Sequence, residues 1–405
     1  MARRRELAIG SMFVGALLVL GVAERAFERV ADAQAANGMV DAPKFEVDPT
    51  FPKPLPNHWQ LGETIGVSVD AQDNVWIIHR ADALLPGEVG LDQNPPTALC
   101  CSKTPPVLAF DQAGNVVAHW GGPGTGYEWP TSNHGITVDN KGIVWIGGNG
   151  AASQQAGTGA DSQILKFTQD GKFIAQFGHQ GKGQGSNDME NFGRVAKIFV
   201  DPKNNEAYIA DGYGNKRVAV IDADTGKFKR YWGAYGNKPD DALVASLGNY
   251  NPDLPPIQQF RSPVHCAELS VDRFVYVCDR PNDRMQVFTE DGKFVKEMFY
   301  KKKTLGDGSV WDIAFSKDPQ QKYIFMADGK NEKVVVLLRD TLEVLTTFGD
   351  GGRQPGQFFA VHSIATDSRG NIYTTETYQG RRLQKFVYKG IQKVPREQGV
   401  VWPGK

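Results

Sequence analysis

The chain has 405 residues and a formal charge of −1. That balance excludes nucleic acid as the main partner, because gripping phosphate requires a basic excess. With 45 glycines and 23 prolines among short apolar runs, the composition also excludes a long-helix architecture and favours many short strands joined by turns.

In chain order the N-terminus comes first. "MARRRELAIGSMFVGALLVLGVA" sets three arginines ahead of an apolar run from Leu7 to Ala23, the pattern of an export signal or membrane anchor. Small residues at Ala31 and Ala33 permit cleavage after Ala33, whereas the charged, helix-patterned "ERAFERVAD" suits an uncleaved anchor, and both stay open. Arg4 and Arg5 match a twin-arginine signal only weakly. Residues 1–35 are therefore set apart from 36–405 as a signal peptide or N-terminal membrane anchor with a short linker. The rest is expected to be exported, periplasmic or extracellular, and to touch a membrane only through that segment. No later run is apolar for long enough to span a bilayer.

From about residue 60 the chain repeats itself. The unit is a strand, a turn, a second strand with an aromatic, a loop, and then Φ-x-x-F-x-x-x-G-x-Φ. It is seen in "GVSVDAQDNVWIIHR" with "VLAFDQAGNVVAHWG", and in "HGITVDNKGIVWIGG" with "ILKFTQDGKFIAQFG". "AKIFVDPKNNEAYIADG", "HCAELSVDRFVYVCDR", "WDIAFSKDPQQKYIFMADG" and "HSIATDSRGNIYTTET" open four further copies. Each copy has the period-2 alternation of half-buried antiparallel strands, and its "DG" or "AGN" turns suit tight hairpins. Six such units predict an all-β fold, a six-bladed β-propeller with four-stranded antiparallel blades. The pattern resembles NHL-type propellers. The longer stretches 84–106 and 234–261 are expected between blades, as loops on one face. Which terminal segment completes the last blade is left open. Cys266 and Cys278 would face each other across a hairpin at 265–279, which allows a disulfide outside the cytoplasm. Cys100 and Cys101 lie in a Pro-rich insertion and point to no function.

The repeat gives every residue an address. At the start of the first strand stand Ile65, His134, Ala196, His265, Trp311 and His362. Taken alone, His134 in "NHGITVD" fits an ordinary turn histidine. Its address changes that, because blades two, four and six all carry histidine there. With 7 histidines in the chain, such a coincidence has a chance below roughly one in a thousand. Alternate blades stand about 120° apart around the channel, so three imidazoles converge as a zinc site with an open fourth position. Fifteen residues past the address, blade one has Arg80 and blade four has Arg280; blade three has Tyr213 nearby. Arginine grips carboxylates in bidentate fashion. A tyrosine beside a metal and arginines becomes acidic enough to act as a base. Singly, each also fits a bland role, the arginines pairing with loop acids such as Asp82 or Asp283.

Over about residues 60–390 the sequence resembles peptidyl-α-hydroxyglycine α-amidating lyase. "HGITVD", "SPVHCAEL" and "FAVHSIATD" are similar to that family's three zinc segments, "IADGYGNKRV" to its catalytic-tyrosine segment, and "GVSVDAQDNVWIIHRAD" and "CDRPNDRMQVF" to its arginine segments. The resemblance implies zinc on His134, His265 and His362. It implies Tyr213 as the base that takes the α-hydroxyl proton, and a carboxylate held by Arg80, with Arg280 as second candidate. The C–N bond of a carbinolamide would break to an amide and glyoxylate. The implied partner is a small-molecule or peptide substrate with a carboxylate. A structural calcium is implied with less support: Ser363 stands where the family has an aspartate ligand, leaving the backbone oxygens of Val67 and Ile136. Ala360 replaces a common methionine near the third histidine, and Gly214 replaces a disulfide cysteine. Rival expectations are a non-catalytic binding propeller with a structural channel metal, and a metal-dependent hydrolase such as a lactonase, against which three histidines argue.

Overall fold

A computed structural model describes residues 38–154 and 159–404. The segment expected to be a signal or anchor lies outside them. Among the described residues no helix is long and apolar enough to cross a membrane.

Local chemistry at the first hairpin of several blades explains why the repeat folds as it does. The aspartate ending the inner strand turns its carboxylate back over the turn. Asp70 accepts from the backbone N–H groups of Gln72 and Asn74, and from Trp76 Nε1 at 2.9 Å. Asp139 does the same for Lys141, Ile143 and Trp145 Nε1, and Asp367 for Arg369, Asn371 and the Tyr373 hydroxyl. The aromatic of the second strand is thus tied to the turn, with its ring buried between blades. Burying that much apolar ring surface is the main favourable term.

Six four-stranded antiparallel sheets result. Blade 1 is Glu63–Val69, Val75–Arg80, Val107–Phe110 and Val116–Trp120; blades 2 to 5 begin at Asn133, Lys197, Val264 and Asp312. Blade 6 takes Val361–Thr366, Ile372–Glu376 and Leu383–Pro395 from the C-terminal part, and its outer strand, Met39–Asp48, from the N-terminal part. Phe45 on that strand is fully buried and packs edge-on against Phe325 at 5.3 Å. The ring is therefore closed by strand pairing, which removes an exposed edge.

The core lies between blades rather than at one centre. Ile65, Trp76 and Ile78 of blade 1, for example, pack on Ile136, Val144 and Ile146 of blade 2. The stretch 84–106 departs from expectation: it lies inside blade 1, between its second and third strands, not between blades. Turn chemistry marks a loop but not the sheet order around it. The connection 234–261 does lie between blades 3 and 4, and carries the short helix Asp241–Ser246. Cys266 and Cys278 are joined, as are the adjacent Cys100 and Cys101.

Candidate functional site

The inner strands of the three histidine blades share an irregularity. Strand pairing skips a residue between His134 and Ile136, between Val264 and Cys266, and between Val361 and Ser363. A bulge of this kind re-aims a side chain, and here the three imidazoles meet in the channel. They are buried, and their ligand atoms all lie within 4.8 Å of one another.

Two tautomers are set by the neighbouring odd blades. His134 Nδ1 lies 2.7 Å from the Ala196 carbonyl, and His265 Nδ1 2.6 Å from that of Trp311. A carbonyl only accepts, so both Nδ1 atoms carry the proton and both Nε2 atoms keep their lone pair for the channel. Gly135 (φ +71°) makes this possible in blade 2, since a Cβ there would stand 2.5 Å from the Ala196 oxygen. His362 Nδ1 is buried without a partner. Its counterpart carbonyl would belong to Ile65, which is itself the residue skipped in blade 1. Burial holds all three imidazoles well below the ordinary histidine range, and positive neighbours, Arg280 in each case, add to the effect. Neutral, nitrogen-donating and water-poor, the trio fits a borderline divalent metal.

Tyr213 projects into the same space from the loop of blade 3. Its hydroxyl is 3.0 Å from His134 Nε2 and 3.1 Å from His265 Nε2. Arg280 Nη1 lies 3.5 Å from that hydroxyl, and its guanidinium stacks 4.4 Å above the Trp311 ring. Arg80 stands on the other side, 3.3 Å from the backbone oxygen of Asn133, the residue before His134. The residues singled out by address therefore share one site. Neither arginine pairs with Asp82 or Asp283: Arg80 binds Glu63 at 2.7 Å, and Arg280 reaches Asp307 at 3.4 Å. Gly214 packs so tightly that a Cβ would meet the Gly193 oxygen at 2.8 Å. Val67 and Ile136 line a cavity of the channel that none of the three histidines borders.

Asn149 and Trp311 also contribute to the site. Asn149 Oδ1 accepts from Arg80 at 2.9 Å. It occupies in blade 2 the address that Arg80 holds in blade 1, since both stand fifteen residues past the first-strand marker, so the signal was present. Trp311, known only as an apolar address residue, is the platform for Arg280 and an acceptor for His265.

No protein-family model matches the chain. It is 25% identical over 243 residues to peptidyl-glycine alpha-amidating monooxygenase B of Xenopus laevis, covering 59% of this chain but 24% of that protein. Against the peptidylglycine alpha-amidating monooxygenase of Rattus norvegicus it is 24% identical over 351 residues, 82% of this chain and 32% of the relative. NHL repeat-containing protein 3 of Mus musculus is 26% identical over 369 residues, 86% of this chain and 85% of that protein. The chain thus spans a quarter to a third of the monooxygenases but nearly all of the repeat protein. Among solved structures, virginiamycin B lyase from Staphylococcus aureus overlays with a TM-score of 0.46 at 16% identity, covering 88% of this chain and 89% of that one. A streptogramin B lyase gives 0.47 at 13% identity, with 85% and 98% covered.

Proposed function

We propose that this propeller is a zinc-dependent lyase acting on an α-hydroxyglycine, R–CO–NH–CH(OH)–COO⁻, to give R–CO–NH₂ and glyoxylate. The observation that carries it is the Tyr213 hydroxyl, held 3.0 and 3.1 Å from two imidazole nitrogens of a three-histidine group, with a nearly unpartnered arginine beside it. A binding propeller with a structural metal has no use for that arrangement. The likeness to amidating monooxygenases supports the same direction.

His134, His265 and His362 would hold the zinc, and the chemistry it supplies when bound is polarisation of the substrate's α-hydroxyl. Tyr213 Oη, deprotonated, accepts the hydroxyl proton. The C–N bond breaks as the carbonyl of glyoxylate forms, and the proton gathered on Tyr213 is the one the departing amide nitrogen requires. Arg280 holds the carboxylate through the donors it has to spare. Arg80, bound on three sides by Glu63, Asn149 and Asn133, positions the wall by His134.

Incubating the purified full chain with N-benzoyl-α-hydroxyglycine should release glyoxylate above the uncatalysed rate. Tyr213→Phe should lower kcat by about 10²–10⁴-fold with metal content unchanged, whereas His265→Ala should remove the metal. A wild-type protein that carries zinc and releases no glyoxylate defeats the proposal and leaves the binding propeller, which the likeness to the NHL repeat protein favours.

A further inference from the structure

Below the histidines the channel carries a buried cluster of charged side chains. One residue past the first-strand address stand Lys197 in blade 3, Asp312 in blade 5 and Ser363 in blade 6. Lys197 Nζ lies 2.6 Å from Asp312 Oδ1 and 3.0 Å from Glu268 Oε1 of blade 4, and the three side chains are 12%, 1% and 13% exposed. The other Asp312 oxygen accepts from the Ser363 hydroxyl at 2.7 Å and the Ile364 N–H at 3.1 Å. Val67 and Ile136, the backbone positions left for calcium, line the same lower channel as Lys197 and Glu268, around a cavity of about 530 Å³.

Calcium takes six to eight oxygens, with carboxylates prominent among them. Here Asp312 spends one oxygen on the ammonium and the other on Ser363 and Ile364, Glu268 Oε1 faces the same ammonium, and position 363 offers a hydroxyl that already donates to Asp312. The residues do not fit the ion. Burial works against the charge on Lys197, but Asp312 and Glu268 outweigh it and hold the ammonium well above the ordinary lysine range. We infer that Lys197 is the resident cation of this second axial position, so that the chain takes one metal ion, at the histidines, and none below it. The position still needs a cation, because two buried carboxylates cannot face each other uncompensated. The chain supplies that cation covalently. The inference is independent of the reaction catalysed at the upper site.

The test is calcium binding and thermal melting of the full chain, stripped with chelator and reloaded with zinc alone. Wild type should bind no calcium by calorimetry and show no shift in Tm when millimolar CaCl₂ is added. Lys197→Met should melt lower, bind Ca²⁺, and recover part of the lost Tm with it; Lys197→Gln is the milder variant if that protein does not fold. Stoichiometric calcium binding by wild type, or a calcium-raised Tm, overturns the inference without need of any variant. A folded Lys197→Met protein that is indifferent to calcium overturns it as well, since the position would then not be a cation site.

Discussion

Arg80 and Arg280 share one address on opposite blades, yet their surroundings differ. Arg80 Nη1 binds Glu63, Nη2 binds Asn149, and Nε reaches the Asn133 carbonyl, at 2.7, 2.9 and 3.3 Å. Arg280 makes only long contacts, 3.5 Å to Tyr213 and 3.4 Å to Asp307, and its buried Nε has no partner. The cause is two residues before the first-strand address. Blade 1 has Glu63 there, directly across the ladder from Arg80; blade 4 has Pro263, which brings no carboxylate. Equal position in a repeat thus fixes where a side chain stands, while the neighbouring strand decides whether it is free to bind a ligand. On the proposed function, the guanidinium stacked on an indole with donors unspent is the one that takes the substrate's carboxylate.

The sharpest way to break this contrast is to remove each arginine in turn. Arg280→Met should cut kcat/KM by about 10²–10³-fold, mostly through KM, as expected for a buried charge contact to substrate worth a few kcal/mol, with Tm little changed. Arg80→Met should cost only about tenfold in kcat/KM. It should, however, lower stability by about 1–2 kcal/mol, because Glu63 and Asn149 lose their donor in a half-buried place. Steady-state kinetics and denaturant melts decide between them; if KM rises more for Arg80→Met, the roles are the reverse. A smaller effect should come from Glu63→Gln. Freeing one face of Arg80 should tighten binding of N-benzoylglycine, a substrate analogue lacking the reactive hydroxyl, by a few-fold in calorimetry.

Much of this contrast was legible before the fold. The six-fold repeat exposed the three histidines, because a propeller turns sequence phase into angular position, and the same count finds Asn149 and Pro263. What phase does not carry is side-chain direction. Trp311 counted only as an apolar address residue, and its role as the stacking surface for Arg280 depends on its ring being held by Nε1–H donation to the Gly308 carbonyl at 2.7 Å. Nor does a local pattern reveal pairing between distant segments. Met39–Asp48 closes blade 6 by pairing with Leu383–Pro395, and two strands so far apart share no turn to announce them. The stretch 84–106 lies within blade 1 and not between blades for a similar reason. Its many turn residues mark a loop, but sheet order comes from hydrogen bonds made on either side of it.

The contrast extends to how each arginine's turn is anchored, and this yields the smallest expected effect. Three residues past Arg280 the chain passes through Asp283 in a left-handed conformation, φ 53°. Its carboxyl accepts from the Ser309 N–H at 2.8 Å and hydroxyl at 3.0 Å, while its second oxygen is buried without a partner. Blade 1 has Ala83 at that place, so there the guanidinium itself does the anchoring. Burial pushes the Asp283 carboxyl up to about 7 from its ordinary 3.8, and the nearby Asp328 and Asp279 carboxylates push the same way. A raised folded-state value means the native protein keeps this proton where the unfolded chain has released it. Its contribution to stability is therefore complete below 3.8 and is lost progressively as pH rises to about 7. Asp283→Asn mimics the protonated form and tolerates the backbone conformation. Its Tm should match wild type in acid and exceed it by a few degrees above neutrality. Asp328, raised to about 6 mainly by burial, is felt by Asp283, so the difference between the two melting curves reports this coupled pair, with Asp283 the larger shift. A difference that does not change with pH would mean that the carboxyl titrates alike in the folded and unfolded chain, so that burial does not hold its proton.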